Sequence, residues 1–157
     1  MNEIYLSKQS KKIYLEDFER LLLNDNPFWN IDEEIKSYLI KINNNENIQT
    51  LYSNYGTNNN ILGSYIEFCY YEKIEGKLFK EVIPEILCEF NNSDESCIYE
   101  FNYPRENRNY EEDNKLGFSC TDNSEHFRIN TIIVTYKSYD SNHLKFWNFI
   151  TEKLITL

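Results

Sequence analysis

The sequence predicts a single α+β domain over residues 1–157: two N-terminal helices, an antiparallel sheet of about five strands, and a C-terminal helix packed on the sheet. Apolar residues recur at helical spacing near both ends of the chain, whereas strict alternation begins at Ser64. Polar turn residues then separate several short alternating runs, the pattern of an antiparallel meander. A chain of this length buries roughly 70% of the surface its unfolded form exposes, enough for one core. An apolar content of 41% and an aromatic content of 16% exclude wholesale disorder.

Leu15, Phe18, Leu21 and Leu22 predict a short amphipathic helix that stops near the Asn24-Asp25-Asn26-Pro27 breaker cluster. A second helix is marked by the stripe Ile31, Ile35, Leu39 and Ile42, with Asn30 as N-cap and Glu33 three residues on. Asp32, Glu33 and Glu34 crowd its first turn, where the helix dipole favours anions. Residues 43–60 are rich in asparagine and read as loop, with one helical turn around Leu51, Tyr52 and Tyr55. The absence of alanine and the density of Asn, Ile, Lys and Tyr match AT-rich coding, which accounts for the asparagines without a functional role.

From Ser64, residues Ile66, Phe68 and Tyr70 point one way and Tyr65, Glu67, Cys69 and Tyr71 the other, as in a strand. Glu75-Gly76-Lys77 reads as a hairpin turn into Leu78–Ile83, a helical turn there being the alternative. Pro84 would block ladder pairing away from an edge. Three alternating runs follow: Ile86, Cys88, Phe90; then Cys97, Tyr99, Phe101, Tyr103; then Leu116, Phe118, Cys120. Phe127–Tyr139 is the longest strand candidate, central because Ile132, Ile133 and Val134 are consecutive. Asp140 or Ser141 caps the last helix, whose inner stripe is Leu144, Trp147, Ile150 and Leu154, widened by Phe146 and Phe149.

Charge is distributed unevenly. Between Glu85 and Glu125 lie eleven acids and three bases (Arg105, Arg108, Lys115), so this stretch carries −8 of the net −10. A field of one sign attracts a basic partner and repels nucleic acid and anionic membrane. Within it, residues 102–114 form a connection longer than most in compact domains. Tyr103 and Tyr110 offer rigid aromatic anchors there, and Glu106, Glu111, Glu112 and Asp113 offer steering charge. Those six residues are the expected partner-binding set. Glu85, Glu89 and Glu100 alternate with apolar residues and are expected to face water from strands.

No catalytic, cofactor or metal motif stands beside the acidic stretch. The four glycines are isolated from one another, and the histidines are His126 and His143 alone. His143 lies in the first turn of the last helix; it reads as a surface residue at a helix start, with general-base chemistry as the alternative. Glu67, Glu72 and the acid-x-Lys pattern of Glu75-Gly76-Lys77 resemble parts of a metal-dependent nuclease, but a nuclease needs the basic surface this chain lacks. Cys69, Cys88, Cys97 and Cys120 are widely spaced and read as reduced thiols. With no secretory signal and no membrane-length apolar run, a cytoplasmic protein is expected.

These observations predict an acidic inhibitor-type binding protein without cofactor or metal. Its most concrete form is an immunity protein that occludes the active site of a basic toxin such as a nuclease. A phage-encoded nucleic-acid mimic, a small enzyme around His143, and an assembly subunit are the alternatives. Oligomeric state does not follow from the sequence.

Overall fold

The structure, a computed structural model, describes residues 5–23, 31–56, 64–91, 116–121, 129–136 and 143–157. Helix α1 (Lys8–Leu23) opens on a reciprocal serine cap. The Ser10 N–H donates to Ser7 Oγ at 3.1 Å, and the Ser7 N–H donates to Ser10 Oγ at 2.8 Å. Two otherwise unpaired donors at the helix start are thereby satisfied. Ser10, Tyr14 and Phe18 recur every fourth residue and form the buried stripe.

Helix α2 (Lys36–Asn43) follows a 3-10 turn at Glu33–Ile35. Of its expected stripe, Ile35, Leu39 and Ile42 are fully buried and Ile31 is half-buried. Its cap differs from expectation: Asp32 takes the N-cap position without a side-chain capping bond, and Asn30 lies outside the described residues. The Asp32 carboxylate instead accepts the Tyr55 N–H at 2.8 Å, fastening the strand that follows.

That strand corrects the loop expected over residues 43–60. Strand β1 (Ile48–Asn54) pairs antiparallel with β2 (Ser64–Tyr70), and a bulge lies between Thr50 and Ser53. Asn58, Asn59 and Asn60 lie outside the described residues, and three of the asparagines before β1 have bonding roles. Asn43 Nδ2 donates to Thr50 Oγ1 at 2.8 Å, while Asn43 Oδ1 accepts the Thr50 N–H at 2.9 Å. Asn45 Nδ2 donates to the Leu154 carbonyl at 3.0 Å, and Asn47 Nδ2 donates to the Leu157 carbonyl at 3.0 Å. Asparagine is short enough to bond backbone locally, and here it closes a corner between α2, β1 and the C-terminal helix.

Strands β3 (Leu116–Thr121) and β4 (Thr131–Tyr136) complete the sheet, whose order is β1-β2-β4-β3 with every pair antiparallel. Four strands, rather than about five, are present among the described residues, and their order is not a meander. The expected run Cys97–Tyr103 lies outside those residues. β4 is central, as its consecutive branched residues predict, and the expected faces of β2 hold: Ile66, Phe68 and Tyr70 are all buried.

The expected strand at Ile86, Cys88 and Phe90 is a helix. After a 3-10 turn at Glu72–Ile74, the chain runs through Glu75–Lys77, a π-type turn at Leu78–Val82 and Ile83–Asn91, here α3 as a whole. Glu75-Gly76-Lys77 is therefore helix and not a hairpin turn. Ile86, Cys88 and Phe90 do alternate, but Ile83, Ile86, Leu87 and Phe90 recur at i, i+3, i+4 and i+7, and those four are buried. Pro84 lacks the N–H that would bond four residues back, and the π-type turn just before it absorbs the disruption.

Helix α4 (His143–Leu154) packs with α2 and α3. Phe146, Trp147, Ile150, Thr151 and Leu154 are buried; Leu144, expected inside, is 47% exposed and His143 takes the inward place. Phe90, Tyr136 and Phe146 form the aromatic centre of this layer, with Tyr136 and Phe146 stacked at 5.3 Å. A second, smaller cluster of Leu6, Tyr14, Cys69 and Ile129 lies where α1 meets β2. Cys69 is a free buried thiol, but Cys88 is disulfide-bonded, which corrects the expectation of four reduced cysteines. Spacing along the chain does not report which thiols meet in space.

Candidate functional site

All six expected partner-binding residues, Tyr103, Glu106, Tyr110, Glu111, Glu112 and Asp113, lie outside the described residues. The acidic stretch nevertheless begins on described ground. Glu85 and Glu89 do not face water from strands; they lie on the exposed side of α3 and reach α4. Lys153 Nζ approaches Glu85 Oε2 at 2.7 Å, and Lys145 Nζ approaches Glu89 Oε1 at 3.4 Å. These two acids are locally neutralised.

His143 is 2% exposed and not the surface residue expected. Its Nδ1 lies 2.8 Å from Ser64 Oγ, and Trp147 Nε1 donates to the same oxygen at 3.2 Å. Ser64 spends its one hydroxyl proton on the Tyr55 carbonyl. Ser64 and His143 are both buried, so neither group is open to a substrate. Among the described residues, the buried His143 Nε2 has no hydrogen-bond partner. The Ser64–His143–Trp147 group thus joins β2 to α4 as a structural bond.

Glu67 lies on the sheet face opposite Ile66 and Phe68, next in alternation to Tyr65. Burial first, and then the negative charge of Glu67 and Asp32, pushes the Tyr65 phenol above its ordinary range. Glu75 accepts the Tyr70 hydroxyl at 3.1 Å, while Glu72 is exposed. The nuclease-like acids are therefore dispersed. Among the described residues, no three His, Cys, Asp or Glu side chains gather as a metal would require. None of the described helices is long and apolar enough to cross a membrane.

A different set of residues does converge. Lys8, Lys11, Lys12 and Leu15 of α1, together with Asn43, Asn44, Glu46 and Tyr71, line an open groove of about 720 Å³. Lys11 lies deepest. Its Nζ donates to the carbonyl of Asn43, at the end of α2, at 2.8 Å and to that of Ile48, on β1, at 2.5 Å. β1 is an edge strand, whose outward carbonyls lack a neighbouring strand; one is satisfied here by a side chain. Burial lowers the Lys11 pKa from 10.5 to about 8, against the opposing influence of Cys69 and Glu46. Lys8 and Lys12 are exposed.

No protein family, curated protein or solved structure matches this chain. Chemistry must be argued from the groove and the charge pattern themselves. Sequence reasoning passed over the groove because residues 1–84 are nearly balanced in charge, which hides a local cluster. The available signal was the spacing of Lys8, Lys11 and Lys12, which places three ammonium groups on one side of a helix.

Proposed function

We propose that this protein is an acidic inhibitor-type binding protein, most concretely an immunity protein that neutralises a basic toxin such as a nuclease. The supporting observation is where the acidic excess stands along the chain. Glu85 and Glu89 are paired to α4, so the remaining excess falls after α3. Residues 92–115, between α3 and the edge strand β3, hold seven acids and three bases, and Asp122 and Glu125 follow β3.

Such a segment would occupy the groove in which a nuclease holds substrate phosphates. Long-range attraction would raise association to roughly 10⁸–10⁹ M⁻¹s⁻¹ at low salt. Tyr103 and Tyr110 would supply the apolar anchors that convert encounter into a stable complex. The burial of His143 gives the enzyme alternative no support at that residue.

The test is capture of a basic nuclease toxin, the product of the adjacent upstream gene, by the purified protein with nuclease activity as readout. Replacing Glu111, Glu112 and Asp113 together by lysine should abolish inhibition and leave the thermal midpoint nearly unchanged. Full inhibition by that variant rejects the reading.

A further inference from the structure

Helix α1 begins with a cluster of positive charge. Its first turn holds no acid, and Lys8, Lys11 and Lys12 stand at the end where the backbone dipole is already positive. Lys8 and Lys12 are four residues apart, a spacing at which like charges repel. Three other lysines do find carboxylates: Lys36 meets Glu33 at 2.7 Å, Lys145 meets Glu89 and Lys153 meets Glu85. Lys8 and Lys12 have no hydrogen-bond or ion-pair partner among the described residues. Like charges gathered at the positive end of a helix are relieved by a bound anion.

The groove supplies the rest of such a site. Lys11 uses two of its three N–H donors on the Asn43 and Ile48 carbonyls, which leaves one for a ligand. Against these three ammonium groups stands one carboxylate, Glu46. Leu15 and Tyr71 provide apolar and aromatic wall, and Asn44 an amide. A volume of about 720 Å³ accommodates a metabolite-sized molecule. The net −10 of the chain does not forbid an anion here, because charges beyond a Debye length of about 8 Å at physiological salt are largely screened.

We propose that this groove binds a small phosphorylated molecule, its phosphate held by Lys8, Lys11 and Lys12 and its organic part laid against Leu15 and Tyr71. Three ammonium groups suit a dianion better than a carboxylate, and lysine is a common phosphate ligand as a point charge. This inference is independent of the acidic segment and of any protein partner.

The experiment is a titration of the full-length protein with phenyl phosphate and, separately, with inorganic phosphate, read from the backbone amide shifts of α1. We expect saturable binding of phenyl phosphate with a midpoint below about 1 mM, and weaker binding of inorganic phosphate, which lacks the ring. The double variant Lys8→Gln/Lys12→Gln should bind at least about tenfold more weakly while melting no lower than the parent, because the two charges oppose the helix dipole. Affinity should also fall as pH rises through about 8, where Lys11 loses its proton. The groups facing Lys11 are Lys8, Lys12, Cys69, Glu46 and Tyr71. The absence of saturation at about 10 mM, or unchanged affinity in the double variant, overturns the proposal.

Discussion

The seam between α3 and α4 and the corner between α1, α2 and β1 both carry lysines, yet the lysines do different work. At the seam, Lys145 and Lys153 bridge to Glu89 and Glu85 in water, above a layer of Phe90, Phe146 and Ile150 that already holds the helices together. At the corner, Lys11 and Asn43 bond backbone groups of an edge strand. The same ammonium group is nearly dispensable over an apolar contact and structural where backbone would otherwise be unpaired. Burial of the partner, more than the formal charge, sets its value.

The seam's apolar layer should show the largest effect. Phe146 is fully buried and touches Phe90, Tyr136 and Trp147, so Phe146→Ala should cost about 3–5 kcal/mol in chemical denaturation. A loss below about 1 kcal/mol would mean that the layer is not the core of the seam. At the corner, Asn43→Ala strands the buried Thr50 N–H and hydroxyl together, and about 2–3 kcal/mol should be lost by the same measurement. If that variant were as stable as the parent, the corner would not depend on its polar bonds.

Lys11 sharpens the comparison through pH. Its folded pKa of about 8 lies below the ordinary 10.5, so the unfolded chain holds more protons between those values. Its contribution to stability is therefore present above pH 10.5 and is lost as pH falls through about 8. Stability of the parent relative to Lys11→Met should rise from pH 8 to pH 10, and a flat difference would contradict the buried ammonium. The smallest effect belongs to the seam's surface. Lys153→Met removes the bridge to Glu85 and should change stability by less than about 1 kcal/mol.

Legibility followed the same division. α2, β2 and α4 each carry one dominant period that reads directly, as Ile35, Leu39 and Ile42 illustrate, and β4 reads from its consecutive branched residues; in α1 the expected Leu15, Leu21 and Leu22 are half-buried and Tyr14 joins Phe18 inside. In residues 83–90 two periods coexist, since Ile86, Cys88 and Phe90 alternate while Ile83, Ile86, Leu87 and Phe90 follow a helix. The helical reading buries all four of the latter against the sheet and α4, and burial selects it. β1 was hidden for the opposite reason: its asparagine-rich approach resembles loop until Asn43, Asn45 and Asn47 find partners. In the groove, the three lysines were visible along the chain, but the acceptors that fix Lys11 lie 32 and 37 residues away.

The amino-acid sequence by itself determined the α+β class, the helices at both ends, the central place of β4 and the acidic excess between residues 85 and 125. Those properties are sums or periods along the chain, and local chemistry is enough to produce them. Only the tertiary structure decided that residues 83–91 are helix, that β4 stands between β2 and β3, that His143 turns inward to Ser64, and that Lys8, Lys11 and Lys12 face a shared groove. Each of these rests on contacts between segments far apart in sequence, where the burial available from a partner outweighs the preference of the segment alone.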